Sequence, residues 1–305
     1  MGLIKIYADF LAASKTQGVT FEKTVTLGRL ENYLRLDSSM KNSASPVVTG
    51  AYADAFFHSV LKTRELDALD RSDYEGANII HDLNDPLPEI LREKYDAVVD
   101  GGTLEHVFDL PAALLNCISL LKTGGSLFIC APANNLFGHG FYQFSPELFY
   151  RALGPPNGCR IEKMALAESY FTSVEQGMRK RCYEVIDPAS IRERANLISR
   201  YPCLLLVHAV KHAPAPDKLS GLQSDYAGEA DELPSAPAII PRERGVPSFL
   251  KSPGKILISA LPRAAEQWMR SRYQARLRFG LKSHPCFRPA PRHFFAEDWL
   301  DPARL

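Results

Sequence analysis

The sequence predicts an α/β protein built on a doubly wound, mostly parallel sheet of seven strands, and three observations carry that prediction. Residues 95–132 read as strand, acidic loop, amphipathic helix, Gly-Gly turn and strand. Short apolar runs stop abruptly at Gly or Asp, as buried parallel strands do where they give way to polar loops. Helical spacings recur between these runs, which is the rhythm of β-α-β units with right-handed crossovers.

The elements follow in order. Residues 3–14 read as a short helix over a sheet edge. Residues 21–27 are the first strand, ending at Gly28. Residues 50–62 are a helix with Ala51, Ala55, Phe56 and Val60 on one face. The second strand, 66–69, ends at Asp70, and the third, 77–80, ends at His81-Asp82. A short helix over 88–93 precedes the fourth strand, Ala97-Val98-Val99, which stops at Asp100-Gly101-Gly102. Leu110, Leu114, Ile118 and Leu121 then fall at helical spacing, with Gly124 where a helix stop belongs. Residues 126–130 are the fifth strand. Residues 146–153 form a helix with Ser145 as N-cap, Pro146 in its first turn and Glu147 adding favourable charge there. Residues 160–167 and 203–210 are two further strands, with a helix over 188–200 between them.

The texture divides the chain into 1–212, 213–248 and 249–305. The middle stretch is rich in Pro, Ala, Ser and Gly and reads as a linker. The last is basic. Ala265, Met269, Tyr273 and Leu277 repeat every fourth residue there, which predicts a helical extension decorated by Arg263, Arg270, Arg272, Arg276 and Arg278. Over 263–279 this helix suits three roles: a lid or edge cover, contact with an anionic membrane surface, or a partner or polyanion contact.

Composition bounds the function. With 305 residues, 46% hydrophobic and 23% charged, the chain is an ordinary globular protein. A formal net charge of +1 argues against a whole-protein polyanion binder. Cys117, Cys130, Cys159, Cys182, Cys203 and Cys286 are scattered, without a Cys-x-x-Cys pair, and read as free thiols in a reducing compartment. No zinc spacing, signal peptide, myristoylation pattern or long apolar run stands out, so a cytoplasmic location, peripheral to a membrane at most, is expected and no metal is assigned.

Asp-Gly-Gly-Thr-Leu-Glu-His-Val-Phe-Asp at 100–109, then a helix, Leu-Lys-Thr-Gly-Gly at 121–125 and a strand ending in Pro132, resemble the second half of a class I S-adenosylmethionine-dependent methyltransferase domain. The resemblance spans about residues 20–212. It implies a Rossmann-like sheet whose last strand enters antiparallel beside the fifth, S-adenosyl-L-methionine as cofactor, and a small-molecule or glycan acceptor methylated at oxygen.

Ligands of such sheets bind outside the carboxyl ends of the strands, and the candidate residues are those at these ends. Gly28 permits close backbone approach to the methionine part, although family members carry an acid and three alternating glycines there and this chain has Gly28 alone. Arg29 offers a guanidinium to the methionine carboxylate. Asp70, with Asp67 as a competing candidate, would accept hydrogen bonds from the ribose hydroxyls. Asp82 would accept from the adenine amine, with the Leu83 backbone meeting a ring nitrogen. Asp100 would face the donor's amine or the substrate, Gly101 and Gly102 would admit a ligand closely, and Glu105 would shape the pocket. His106 and His139 are the candidate general bases, since imidazole titrates near neutrality. Asn134, Tyr142 and Gln143, beyond the fifth strand, would meet the acceptor.

Two other readings stay in view. A binding or scaffolding protein could keep the fold without donor binding. A nicotinamide-dependent enzyme is disfavoured because no Gly-x-Gly-x-x-Gly follows the first strand, and no stacking platform marks a nucleic-acid enzyme.

Overall fold

A computed structural model describes residues 2–34, 46–168, 181–191, 194–226, 281 and 284–296. In chain order these form β1 (Gly2–Leu3), α1 (Lys5–Thr16), β2 (Lys23–Leu27), β3 (Glu31–Asn32), α2 (Pro46–Thr49), α3 (Asp54–Ser59), β4 (Glu65–Asp70), β5 (Ile79–Ile80), β6 (Tyr95–Asp100), α4 (Leu110–Leu120), β7 (Leu121–Pro132), α5 (Pro146–Ala152), β8 (Cys159–Glu168), β9 (Arg181–Val185), α6 (Pro188–Ile191), β10 (Cys203–Lys211) and β11 (Phe287–Pro289). β1 and β3 make a small parallel pair; the rest join a nine-stranded sheet in the order β11-β9-β8-β10-β7-β6-β2-β4-β5.

All seven strands read from the sequence are present. β5, β4, β2, β6 and β7 run parallel, and β10 lies antiparallel between β7 and β8. That insertion is what the methyltransferase resemblance implies. β9 and β11 extend the sheet antiparallel beyond β8. β11 lies in the stretch read as an extension, while 263–279, with the proposed amphipathic helix, falls outside the described residues.

The period-2 alternation of the strands sorts the core into two layers. Val25, Leu27, Val98, Leu127, Ile129, Leu205 and Val207 pack with α4 and α5 on one face. Val99, Phe128, Cys130, Leu204 and Leu206 pack with α1 and α3 on the other. Phe128 is the centre of that second layer, 5.2 Å from the Phe21 ring, 6.4 Å from Phe10 and 4.4 Å from His208. α4 forms where predicted because Asp109 caps it, accepting from Ala112 N at 3.1 Å, and Pro111 occupies its first turn.

Several expected boundaries move, each for a local reason. α1 starts at Lys5 and covers a face of the sheet, not its edge, because its apolar residues surround it and need burial on several sides. The helix expected over 50–62 shrinks to α3. Its first turns are held as loop by Asn32, whose side chain donates to Val47 O and Gly50 O, and by Ala53 N on Leu30 O. Residues 88–93 give only a 3-10 turn at Glu89–Leu91. Gly124 does not stop a helix. It sits inside β7 at φ +86°, where the β6 pairing shifts register, so it serves a bulge. The helix expected over 188–200 ends at Ile191 among the described residues, and 194–199 have no regular structure. The side chains of Asn134 and Asn135 hold that segment by its backbone, through Leu197 O, Ser199 O and Tyr201 O. Residues 213–226, from the expected linker, dock on α5: Ser220 exchanges hydrogen bonds with Asn157, and Ser224 donates to Glu147.

His208 gives the fold an acid-labile point. It is 5% exposed, bonds Ser126 Oγ at 3.1 Å through Nε2 and stacks on Phe128. Burial, then the Lys163 charge beside it, pulls its pKa down to about 3. The unfolded imidazole gains its proton near pH 6.5 and the folded one only near pH 3, so its contribution is present above about 6.5 and drains away as pH falls. The expected loss between pH 7 and 4.5 is about 2–3 kcal/mol. Urea unfolding across that range should show wild type losing this much more than His208→Gln; equal losses would contradict it.

Candidate functional site at the parallel strand ends

The strand register places the acids. Leu27 stands opposite both Leu69 and Asp100, Asp70 opposite Ile80, and Asp100 opposite Ile129. The parallel strands therefore finish at one level, and Gly28, Asp70, His81 and Gly101 share one rim. Gly28 N donates to Leu69 O at 2.7 Å, and His81 N to Asp70 O at 2.8 Å. At φ +70° Gly28 holds a left-handed turn, and a Cβ there would lie 3.5 Å from both Asp70 Oδ2 and Thr103 Oγ1. Three loops thus converge on Gly28.

Asp70 ends β4 and accepts from Arg71 N and Ser72 N through Oδ1. Its rival Asp67 lies mid-strand, taken up by Asn78 Nδ2 and Tyr95 OH, each at 2.7 Å. Asp82 accepts from Asn84 N at 3.0 Å and meets Arg71 Nε at 3.2 Å; the Asn84 hydrogen bonds come first in holding its carboxyl below the ordinary range. The loop carrying Asp82 and Leu83 hangs on buried Asn116 of α4, which donates to Leu83 O and Asp85 O and accepts from Leu87 N.

Asp100 is fully buried. Its Oδ1 accepts from Thr103 N at 2.7 Å and Gly102 N at 3.2 Å, while Oδ2 has no hydrogen-bond partner among the described residues. Glu105, 1% exposed, likewise leaves Oε2 unpartnered. Burial first raises both carboxyls above the ordinary range, and for Glu105 the neighbouring Asp100 adds to it. Two residues not singled out in the sequence join them. Thr103 Oγ1 donates to Leu27 O at 2.7 Å, tying the β6 loop to β2; an Asp followed three residues later by a hydroxyl was the available signal. The Tyr7 hydroxyl of α1 is buried without a hydrogen-bond partner among the described residues and feels the Asp100 charge. Only the fold brings it there.

The loop after β7 closes over Glu105. Phe141 N donates to Glu105 O at 2.7 Å, and the Glu105 carboxylate stands 3.5 Å from His139 Nε2. The His106 and His139 rings are 5.7 Å apart. Both expected bases therefore gather at one place with Glu105.

Other candidates have work of their own. Arg29 pairs with Asp54 at 3.4 Å, donates to Glu75 O and stacks 4.0 Å over Tyr52. Gly101 leaves its space to Leu30, whose Cδ2 would lie 2.6 Å from an added Cβ. Asn134 holds the 197–199 segment, Tyr142 OH donates to Phe108 O at 2.6 Å, and Gln143 Oε1 accepts from Leu136 N. A cavity of about 310 Å³ beside β2 and β4 is lined by Arg29, Asp54, Asp67 and Asn78. Another of about 450 Å³ lies between α4 and α5, lined by Leu110, Leu148, Arg151 and Leu219. Neither is lined by Asp70, Asp82 or Asp100.

No protein-family model and no curated protein matches this sequence. Among solved structures the chain is similar to a SAM-dependent methyltransferase from Thermotoga maritima, at 15% identity and TM-score 0.38 over 68% of this chain and 90% of that one. It is similar to the 1,6-didemethyltoxoflavin-N1-methyltransferase of Burkholderia thailandensis, at 12% identity and TM-score 0.37 over 68% and 80%. It is also similar to the branched-chain polyamine synthase of Thermus thermophilus, at 14% identity and TM-score 0.37 over 70% of this chain and 57% of that one. By its own strand order and the antiparallel β10 between β7 and β8, the chain has a class I methyltransferase-like α/β fold.

Proposed function

We propose that the chain transfers a methyl group from S-adenosylmethionine to an oxygen of a small-molecule or glycan acceptor. The observation that carries this reading is the buried Asp100 carboxylate, one oxygen of which has no hydrogen-bond partner among the described residues, behind Gly28 at the level where the parallel strands end. An unpaired buried carboxylate is costly, and a ligand cation is what relieves it. The donor, when bound, supplies an α-ammonium and an electrophilic methyl on a sulfonium. In this reading Gly28 lets the ligand approach the backbone and Asp100 holds the ammonium. Asp70 takes the ribose hydroxyls, and Asp82 with Leu83 reads the adenine. Glu105 walls the pocket, and the 134–145 loop covers the acceptor. His139 or His106 takes the acceptor proton, and alignment and exclusion of water do most of the rest.

Calorimetric titration of the full chain with S-adenosylmethionine and S-adenosylhomocysteine tests it. Saturable heat is expected, with affinity about tenfold weaker in Asp70→Ala. No heat from either ligand at high micromolar concentration would refute the proposal. It would favour a second reading, a binding protein of the same fold, for which the Arg29–Asp54 pairing and the Leu30 side chain over Gly101 already speak. Incubation with radiolabelled donor and fractionated lysate would then identify the acceptor.

A further inference from the structure

We propose that Glu105, His106 and His139 hold a divalent transition-metal ion at the mouth of the strand-end site. One ligand atom from each of the three lies within 4.8 Å of the others. The residues come from two neighbouring loops, the 3-10 turn at Leu104–His106 after β6 and the loop after β7. Their meeting is built into the backbone. Gly140 has φ +98°, and a Cβ there would fall 2.7 Å from Glu105 O and 2.9 Å from Glu105 Cγ. Only glycine lets the loop lie this closely on Glu105, and the hydrogen bond from Phe141 N fixes it there. His139 is thereby delivered onto the carboxylate.

The chemistry of the three groups is complementary. Glu105 is 1% exposed and its Oε2 has no hydrogen-bond partner among the described residues. A buried carboxylate oxygen left open in this way is a defect in an ordinary ion pair and an asset in a coordination site. The two imidazoles are exposed on the solvent side, where an ion can enter. Bonds of about 2.0–2.2 Å to nitrogen and oxygen bring ligand atoms within roughly 3–4 Å of one another, so small rotations of the exposed imidazoles close the site. Two imidazoles with one carboxylate suit Zn²⁺, Co²⁺ or Fe²⁺ and not Mg²⁺ or Ca²⁺, and three protein ligands leave positions open. If the methyl-transfer reading holds, on which this clause alone rests, a bound ion would take over from the two imidazoles the task of easing loss of the acceptor's proton.

The test needs no methyl donor. Untagged full-length protein, stripped with chelator, is titrated with Co²⁺ under visible spectroscopy, and then with Zn²⁺ in competition. One equivalent per chain is expected to give ligand-field bands that Zn²⁺ abolishes. Glu105→Gln, His106→Ala and His139→Ala should each weaken uptake about tenfold or more. His293→Ala, an exposed histidine on another segment, should leave it unchanged. His139 lies on an exposed loop, so its variant should keep the wild-type melting temperature, which guards against misfolding. Absence of saturable uptake, or uptake indifferent to both Glu105→Gln and His139→Ala, would overturn the proposal. Donor calorimetry on the stripped protein reads the methyl-transfer proposal separately: Co²⁺ uptake without donor heat would leave the metal site standing alone.

Discussion

Asparagine in place of Asp100 is expected to weaken donor binding about 10- to 100-fold while leaving the protein as stable as wild type or more so. The two effects have opposite signs because the carboxylate has two separable duties. Oδ1 caps the 101–104 turn through Thr103 N and Gly102 N, and an amide oxygen can do the same. Oδ2 makes no hydrogen bond among the described residues and is fully buried, so replacing it removes an uncompensated charge. In the proposed function, what the variant loses is a charge-assisted hydrogen bond to the donor's ammonium, about 1.5–3 kcal/mol. Calorimetry with S-adenosylhomocysteine alongside thermal melts decides it. Unchanged affinity would show that Asp100 does not face the donor.

Alanine at Asn116 should do the reverse and act first on stability. This side chain is 3% exposed and makes three hydrogen bonds to the 83–87 loop. Truncation strands the Leu83 and Asp85 carbonyls and the Leu87 N–H, a cost of about 3 kcal/mol and on the order of 5–10 °C in melting temperature. Because the same loop carries Asp82 and Leu83, the proposed adenine contacts, donor affinity should fall with it. A variant that melts with wild type would mean the loop is held by something else.

The strands were legible because burial on both faces writes continuous apolar runs, and their ends were legible because Gly and Asp punctuate them. The same logic puts Gly28, Asp70 and Asp100 at one level, since their neighbourhood follows from register alone. It failed where long-range partners decide. The 194–199 segment has a helical pattern in sequence, yet Asn134 and Asn135 capture its backbone. Nor does the sequence show that Arg29, at its strand end, meets Asp54 and Tyr52. β9 and β11 span only five and three residues, too few for a strand pattern to stand out. Glu105 and His139 were each read as site residues. Nothing in a 34-residue separation announces that Gly140 brings them to 3.5 Å.

The segment 287–296 ties late chain to early chain. Behind β11, Phe295 packs 6.0 Å from Phe10 of α1, Ala296 N donates to Asp9 O, and His293 O accepts from Gln17. During synthesis, α1 leaves the ribosome some 280 residues before its cover does. Until then the nascent polypeptide presents an oily helix with no lid, the kind of surface that chaperones grip. A premature stop codon before residue 284 would make that exposure permanent.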